Sequence, residues 1–466
     1  MDIRFFHHNT HLDDPGSFVE RDPHLRQLRQ QLLVHRSCLL DKLPRRQPGI
    51  YTVAGGCQIG KTTLMKQWMA DLLKSGVAPK CIAYLTGELV DAHHFLVRLL
   101  TETLNEMPIT GVCYLILDEV AYIHDWGKGI KYLADAGLLE NVVMILVGSD
   151  LAIIEEARMR FAGRGGTTGA VDFHLHPLSF LETVKLKKRF SAKTLDRLMN
   201  PDIEPTAPSL DKLYEEFDLY LVHGGFLTAI NDMARHKRIM VATFSTYSDR
   251  IRGDVLRNGK QEHYLREILE AVVNHYGRQV TWNTLARELS IDHPKTVGDY
   301  VALLAAMDAA FVQAALVEDK LAAAPKKARK LMFADPFIFH AARAWLAPRA
   351  DPYSRQVKPI VSDTDWAPRL AEACVVTHCR RYYPTYYIKA KGEVDVAYVD
   401  QNRFWPLEVK WTEQLRPKDL KQIAKYPNGR IFTGSRRCGE ILGVPTEPLP
   451  LAMLRFGSTE APADVR

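Results

Sequence analysis

A chain of 466 residues that is 47% hydrophobic and 25% charged is ordinary globular material, long enough for roughly two to four domains. Its 61 Lys and Arg against 55 Asp and Glu leave a net charge of +6, too mild a bias to identify nucleic acid as a partner by itself. The apolar runs are strand-sized, the seven cysteines are scattered without a CxxC pair, and the start MDIRFFHHNTH has no apolar signal core. These features argue against a membrane span, a zinc or disulfide framework and export, and the expectation is a cytoplasmic protein.

Residues 1–48 read as a helical extension with one helix from Leu25 to Val34. Residues 49–178 alternate apolar strands with helices, the pattern of an α/β nucleotide-binding sheet. The strand Ile50 to Ala54 runs into Gly55-Gly56-Cys57-Gln58-Ile59-Gly60-Lys61-Thr62, followed by Thr63 and a helix to Leu73. This is Gly-x-x-x-x-Gly-Lys-Thr in the strand–loop–helix context that a phosphate-binding loop requires. Glycines let successive backbone N–H groups turn toward phosphate oxygens, and the following helix adds its positive end. Lys61 is expected to reach the β- and γ-phosphates of ATP, and the Thr62 hydroxyl to ligate Mg²⁺.

The next apolar strand, Cys113 to Leu117, ends in Asp118-Glu119. Ligands bind at the carboxyl ends of parallel strands, so Asp118 is expected at the Mg²⁺ and Glu119 at the attacking water, as general base or orienter. A third strand, Val142 to Val147, leads to Gly148-Ser149-Asp150, which places Ser149 beside the γ-phosphate or the water. Arg164, in Ala162-Gly163-Arg164, is a candidate for stabilising the transferred phosphoryl group, in its own subunit or across the interface of a homo-oligomer.

Residues 179–258 read as a helical lid with a Pro-rich connector from Pro201 to Pro208 and a glycine pair, Gly224-Gly225. Residues 259–330 read as a winged helix-turn-helix: Tyr264 to His275, then Thr281 to Leu289 capped by Thr281 or Asn283, then Lys295 to Ala306. Two clusters are purely cationic, Lys185, Lys187, Lys188 and Arg189, and Lys326, Lys327, Arg329 and Lys330, while Arg380-Arg381-Tyr382-Tyr383 with Tyr386-Tyr387 mixes cations with stacking rings; each is a candidate for nucleic-acid phosphates.

Residues 331–455, before a tail at 456–466, carry a second constellation in GEVDVAYVDQNRFWPLEVK. With a hairpin loop at Asp400 to Arg403, Val399 pairs with Phe404, Asp395 faces Glu408, and Glu393 faces Lys410. Facing carboxylates repel unless something neutralises them. A divalent cation, Mg²⁺ or Mn²⁺, would do so, with Lys410 positioning water or stabilising a pentavalent phosphate. The plainer alternative is a solvated face with a Glu393–Lys410 ion pair.

Asp395 followed by Glu408-Val409-Lys410 resembles the PD-(D/E)xK nuclease motif. By that resemblance Glu372, on the helix Ala367 to Arg381, matches the helical acid and a third metal ligand, and Gln422 to Tyr426 matches the Gln-x-x-x-Tyr element of exonuclease-type members. Residues 20–435 resemble the prokaryotic AAA-type ATPases that carry a carboxy-terminal nuclease-like domain of unknown function. The likeness rests on GGCQIGKTTL, LILDEV with Trp126 beyond it, VGSD, AGR at 162–164, HPLSF, YLVHGGF, KLMFADP from Lys330 to Pro336, and EVD with EVK. Where that family commonly has two arginines, this chain has Cys57-Gln58. The resemblance implies an ATPase acting on DNA or RNA through a metal-dependent phosphodiesterase. The alternative is an ATP-driven switch whose nuclease-like domain does not cut.

Overall fold

The computed structural model describes residues 2–108, 111–161 and 170–456, without the side chain of Arg158. Contacts divide the chain into two units: residues 1–176 with 306–308, and residues 177–305 with 309–466.

In the first unit, β1 (Gly49–Ala54), β2 (Ile82–Thr86), β3 (Cys113–Asp118), β4 (Val142–Gly148) and β5 (Asp172–His174) form one parallel sheet in the order β2-β3-β4-β1-β5. β2, β3 and β4 are buried at every position, as expected of strands covered on both faces. One core, including Leu115, Leu117 and Leu146, packs on one face; another, including Trp68, Met69 and Val53, packs on the other. The expected helix Leu25 to Val34 is instead Pro23–Arg29. Asp22 caps it, accepting from the His24 and Leu25 N–H groups, and Pro23 supplies a pre-set first turn. Ahead of it, Ile3–His8 and Thr10–Leu12 form 3₁₀ turns that bury Phe5 and His11. Ala162-Gly163-Arg164 lies outside the described residues.

The second unit begins with helices Phe180–Lys187, Ala192–Met199, Ala207–His223, Leu227–His236 and Val241–Arg257. Ser179 and Glu182 form a reciprocal capping box on the first. Helices Glu262–Asn274, Trp282–Glu288 and Pro294–Ala306 follow, the middle one capped by Thr281. They accompany an antiparallel sheet of β6 (Gln279–Val280), β7 (Ala310–Gln313) and, beyond the short hairpin β8 (Leu316–Val317) and β9 (Ala322–Ala323), β10 (Arg329–Phe333), ordered β6-β10-β7.

The last part is a six-stranded mixed sheet of β11 (Thr385–Lys389), β12 (Glu393–Asp400), β13 (Arg403–Lys410), β14 (Arg430–Thr433), β15 (Gly439–Ile441) and β16 (Val444–Pro448), in the order β11-β12-β13-β14-β16-β15. Helix Trp366–Arg380 packs on β12 and β13. The hairpin keeps the expected register, with Val399 opposite Phe404, but Asp400 and Arg403 also pair. The turn is therefore only Gln401-Asn402, both at positive φ, the two-residue form that matches strand twist. Gln422 and Tyr426 flank the 3₁₀ turn Ile423–Lys425, across which the Gln422 amide donates to the Tyr426 hydroxyl.

Candidate functional site

Gly60, at φ +100°, starts the Lys61–Lys74 helix, and Gln58 sits at φ +61°. A Cβ on Gly55 would lie 2.4 Å from the Leu175 carbonyl, so only glycine fits there. Within the loop Cys57 is buried and Gln58 exposed. Lys61 is almost wholly buried, and its ammonium donates to the Gly55 and Gly56 carbonyls at 3.0 and 2.9 Å. That anchors the cation inside the curl of its own loop. Thr62 Oγ1 donates to Asp118 Oδ2 at 2.7 Å, joining the helix start to the end of β3. The other Asp118 oxygen accepts the Glu119 N–H at 2.9 Å. Glu119 sits at φ +50°, and Ser149 Oγ lies 3.2 Å from both of its carboxylate oxygens, donating to the acid from the end of β4. A hydroxyl and a carboxylate, both oxygen donors, fit Mg²⁺, and the buried lysine in a glycine-rich curl fits the phosphates of ATP.

Two residues here were not legible in the sequence. Tyr84, in the middle of β2, donates its hydroxyl to Asp118 Oδ2. Lys66, one helical turn beyond Thr62, is fully buried, with its Nζ 3.6 Å from the Tyr84 ring centroid. It donates to the His8 carbonyl at 2.6 Å and lies 3.5 Å from Asp22. Burial lowers its pKa to about 8, against the pull of Asp22. The sequence signal was a lysine on the helix face it shares with Met69 and Ala70, both buried.

The second constellation is assembled differently from expectation. Asp395 and Glu408 are buried on adjacent strands, and Lys410 pairs with both, 3.5 Å from Asp395. Lys330, from β10, is 1% exposed and pairs with Glu372 at 2.8 Å and with Glu393, and stands 3.9 Å from Asp395. Burial works against its charge, but the surrounding carboxylates outweigh that and raise its pKa. Among the described residues no three His, Cys, Asp or Glu side chains converge so as to hold a metal ion.

In the structure Lys330 and Lys410 are the ion-pair partners of the expected metal set Glu372, Asp395 and Glu408, and Glu393 pairs with Lys330. Gln279 donates to Glu393, and Gln313 to the Asp395 carbonyl at 2.9 Å, so β6, β7 and β10 all reach this centre. Burial raises Glu372 to about 7. Burial, then Asp395, raises Glu408 to about 8, against the pull of Lys410, and its Oε2 is buried without a hydrogen-bond partner. The residues present therefore fit a divalent cation poorly, because lysine ammonium groups already neutralise these acids.

The basic clusters are also used internally. Lys187 and Arg189 pair with buried Glu216. Arg329 lies over the Trp282 ring, and Arg380 over Phe311. Tyr387 is fully buried and donates to the Ala328 carbonyl. These contacts engage part of each cluster, while Lys185, Lys188, Lys326 and Lys327 are exposed.

Residues 47–184 match a family model described as an AAA domain, and residues 214–349 match one described as a domain of unknown function (DUF8612). The first unit therefore carries an AAA-type P-loop ATPase domain. A search of curated proteins returned no match. Among solved structures, the Walker-type ATPase PABY2304 of Pyrococcus abyssi is 15% identical, with a TM-score of 0.43 over 65% of this chain and 93% of that one. The Aeropyrum pernix ORC1 protein in complex with DNA is 11% identical, with a TM-score of 0.32 over 70% and 95%. A RuvB variant from Thermotoga maritima is 14% identical, with a TM-score of 0.25 over 57% and 81%.

Proposed function

We propose that this protein hydrolyses ATP with Mg²⁺ at the Gly55–Thr62 loop and uses the cycle as a switch acting on its second unit. The observation that carries this reading is the Thr62–Asp118 hydrogen bond, which brings a hydroxyl and a carboxylate together beside the loop that holds Lys61. Lys61 binds the β- and γ-phosphates by exchanging its loop carbonyls for phosphate oxygens. Thr62 and Asp118 would hold Mg²⁺, which supplies charge neutralisation on the phosphates. Glu119 takes the proton of the attacking water, and Ser149 holds the Glu119 carboxylate in place for that task. Arg164 is proposed as a phosphoryl-stabilising cation on expectation from the sequence alone. Lys61→Ala should lower ATP turnover by about 10²-fold or more, measured as Mg²⁺-dependent phosphate release. Normal turnover in that variant sinks the assignment.

For the second unit we propose a helical lid over 179–258, a winged-helix module over 259–330 and a nuclease-like module over 331–455 that binds its target without cutting it. The Lys330 network supports binding over cleavage, since Glu372, Glu393 and Asp395 already have a buried cation. Labelled single- and double-stranded DNA and RNA, incubated with Mg²⁺ or Mn²⁺ and with or without ATP, should remain intact. Cutting that disappears in Asp395→Ala would instead establish a nuclease gated or ungated by ATP.

A further inference from the structure

The amino-terminal segment is built into the nucleotide site through Tyr84. Asn9, wholly buried, brackets the Tyr84 backbone: its amide nitrogen donates to the Tyr84 carbonyl and its Oδ1 accepts the Tyr84 N–H, both at 2.8 Å. A side-chain amide thus completes the backbone pairing of β2, as another strand would. His11 Nε2 lies 3.0 Å from the Ile82 carbonyl, two residues earlier on the same strand. The same segment supplies the His8 carbonyl and, with Asp22, the anchors of Lys66, whose ammonium covers the Tyr84 ring. Tyr84 is therefore fixed at backbone, ring face and hydroxyl. Its hydroxyl donates to Asp118 Oδ2, the oxygen that also accepts from Thr62.

We propose that Tyr84 is a positioning residue for the Mg²⁺ site, and that residues 2–22 act as a strap that sets it. A carboxylate oxygen at a strand end has freedom to rotate. With Tyr84 donating to Oδ2 and the Glu119 N–H to Oδ1, the Asp118 plane is held from both sides. Asp118 in turn accepts the Thr62 hydroxyl's hydrogen bond, which directs the lone pairs of that hydroxyl away from Asp118 and leaves them for a cation. The strap contributes no ligand of its own; it acts through Tyr84.

This inference rests on the ATP-site reading, and the test separates the two. Equilibrium binding of a fluorescent non-hydrolysable ATP analogue to the full chain is measured in EDTA and across a Mg²⁺ titration. Tyr84→Phe should remain folded and bind the analogue like wild type in EDTA. Its Mg²⁺ half-saturation should rise about 10- to 100-fold, the worth of a hydrogen bond to a charged group. Asn9→Ala, which touches neither nucleotide nor Asp118, should shift the half-saturation in the same direction by a smaller factor. Unchanged Mg²⁺ half-saturation in Tyr84→Phe, or equal weakening with and without Mg²⁺, overturns the positioning role. A normal Asn9→Ala titration overturns the role of the strap. A wild-type chain with no Mg²⁺-dependent analogue binding overturns the ATP-site reading itself.

Discussion

Lys330 shows how much one buried charge decides. Its ammonium group lies among Glu372, Glu393 and Asp395, and removing it leaves Glu372 and Glu393 without their cation, while Asp395 keeps Lys410 at 3.5 Å. Breaking a buried pair costs roughly 3–5 kcal/mol, because the uncompensated charge stays in place. Lys330→Met should therefore destabilise the chain by about that amount in urea denaturation. Adding Glu372→Gln to Lys330→Met should recover part of the loss, since one of the stranded charges is gone. A Lys330→Met chain as stable as wild type would show that the network contributes little.

At the scale of elements, Asp335 ties two motifs together. It caps helix Pro336–Leu346 by accepting the Phe337 N–H, and its other oxygen accepts the Gly225 N–H, both at 2.8 Å. Gly224, at φ +55°, could not carry a side chain, because its Cβ would fall on the Asp335 carboxylate. The glycine pair and the acid are thus one packing device. Burial raises Asp335 to about 7, with the two N–H donors working in the opposite direction. An acid whose pKa is higher folded than unfolded favours the folded state at low pH, and that contribution is lost as pH rises through the folded value. Stability should fall from about pH 4 to about pH 7 through this group. Asp335→Asn keeps a capping oxygen and should flatten that part of the profile, measured by denaturant midpoints at several pH values. An unaltered slope would remove Asp335 from the account.

At the scale of the whole molecule, each unit has hydrophobic clusters of its own, and the phosphate loop lies in the first. Calorimetry should resolve two transitions. A non-hydrolysable ATP analogue with Mg²⁺, at about 100 times its Kd, should stabilise the first unit by about 2.7 kcal/mol. A single cooperative transition would indicate that the units unfold together. No helix among the described residues is long and apolar enough to cross a membrane.

The sequence by itself determined the phosphate loop, the acidic end of β3 and the register of the 393–410 hairpin. Each is written in a short stretch, because glycine φ angles, strand alternation and two-residue turns are local constraints. It also placed Asp395, Glu408 and Lys410 near one another, for the same reason. Only the tertiary structure decided what neutralises those acids. Lys330 is 42 residues from Glu372, and Tyr84 is 34 from Asp118 and 75 from Asn9. Such partners meet because separate elements pack together, and a buried charge takes the nearest counter-ion the packing provides, whatever its distance along the chain.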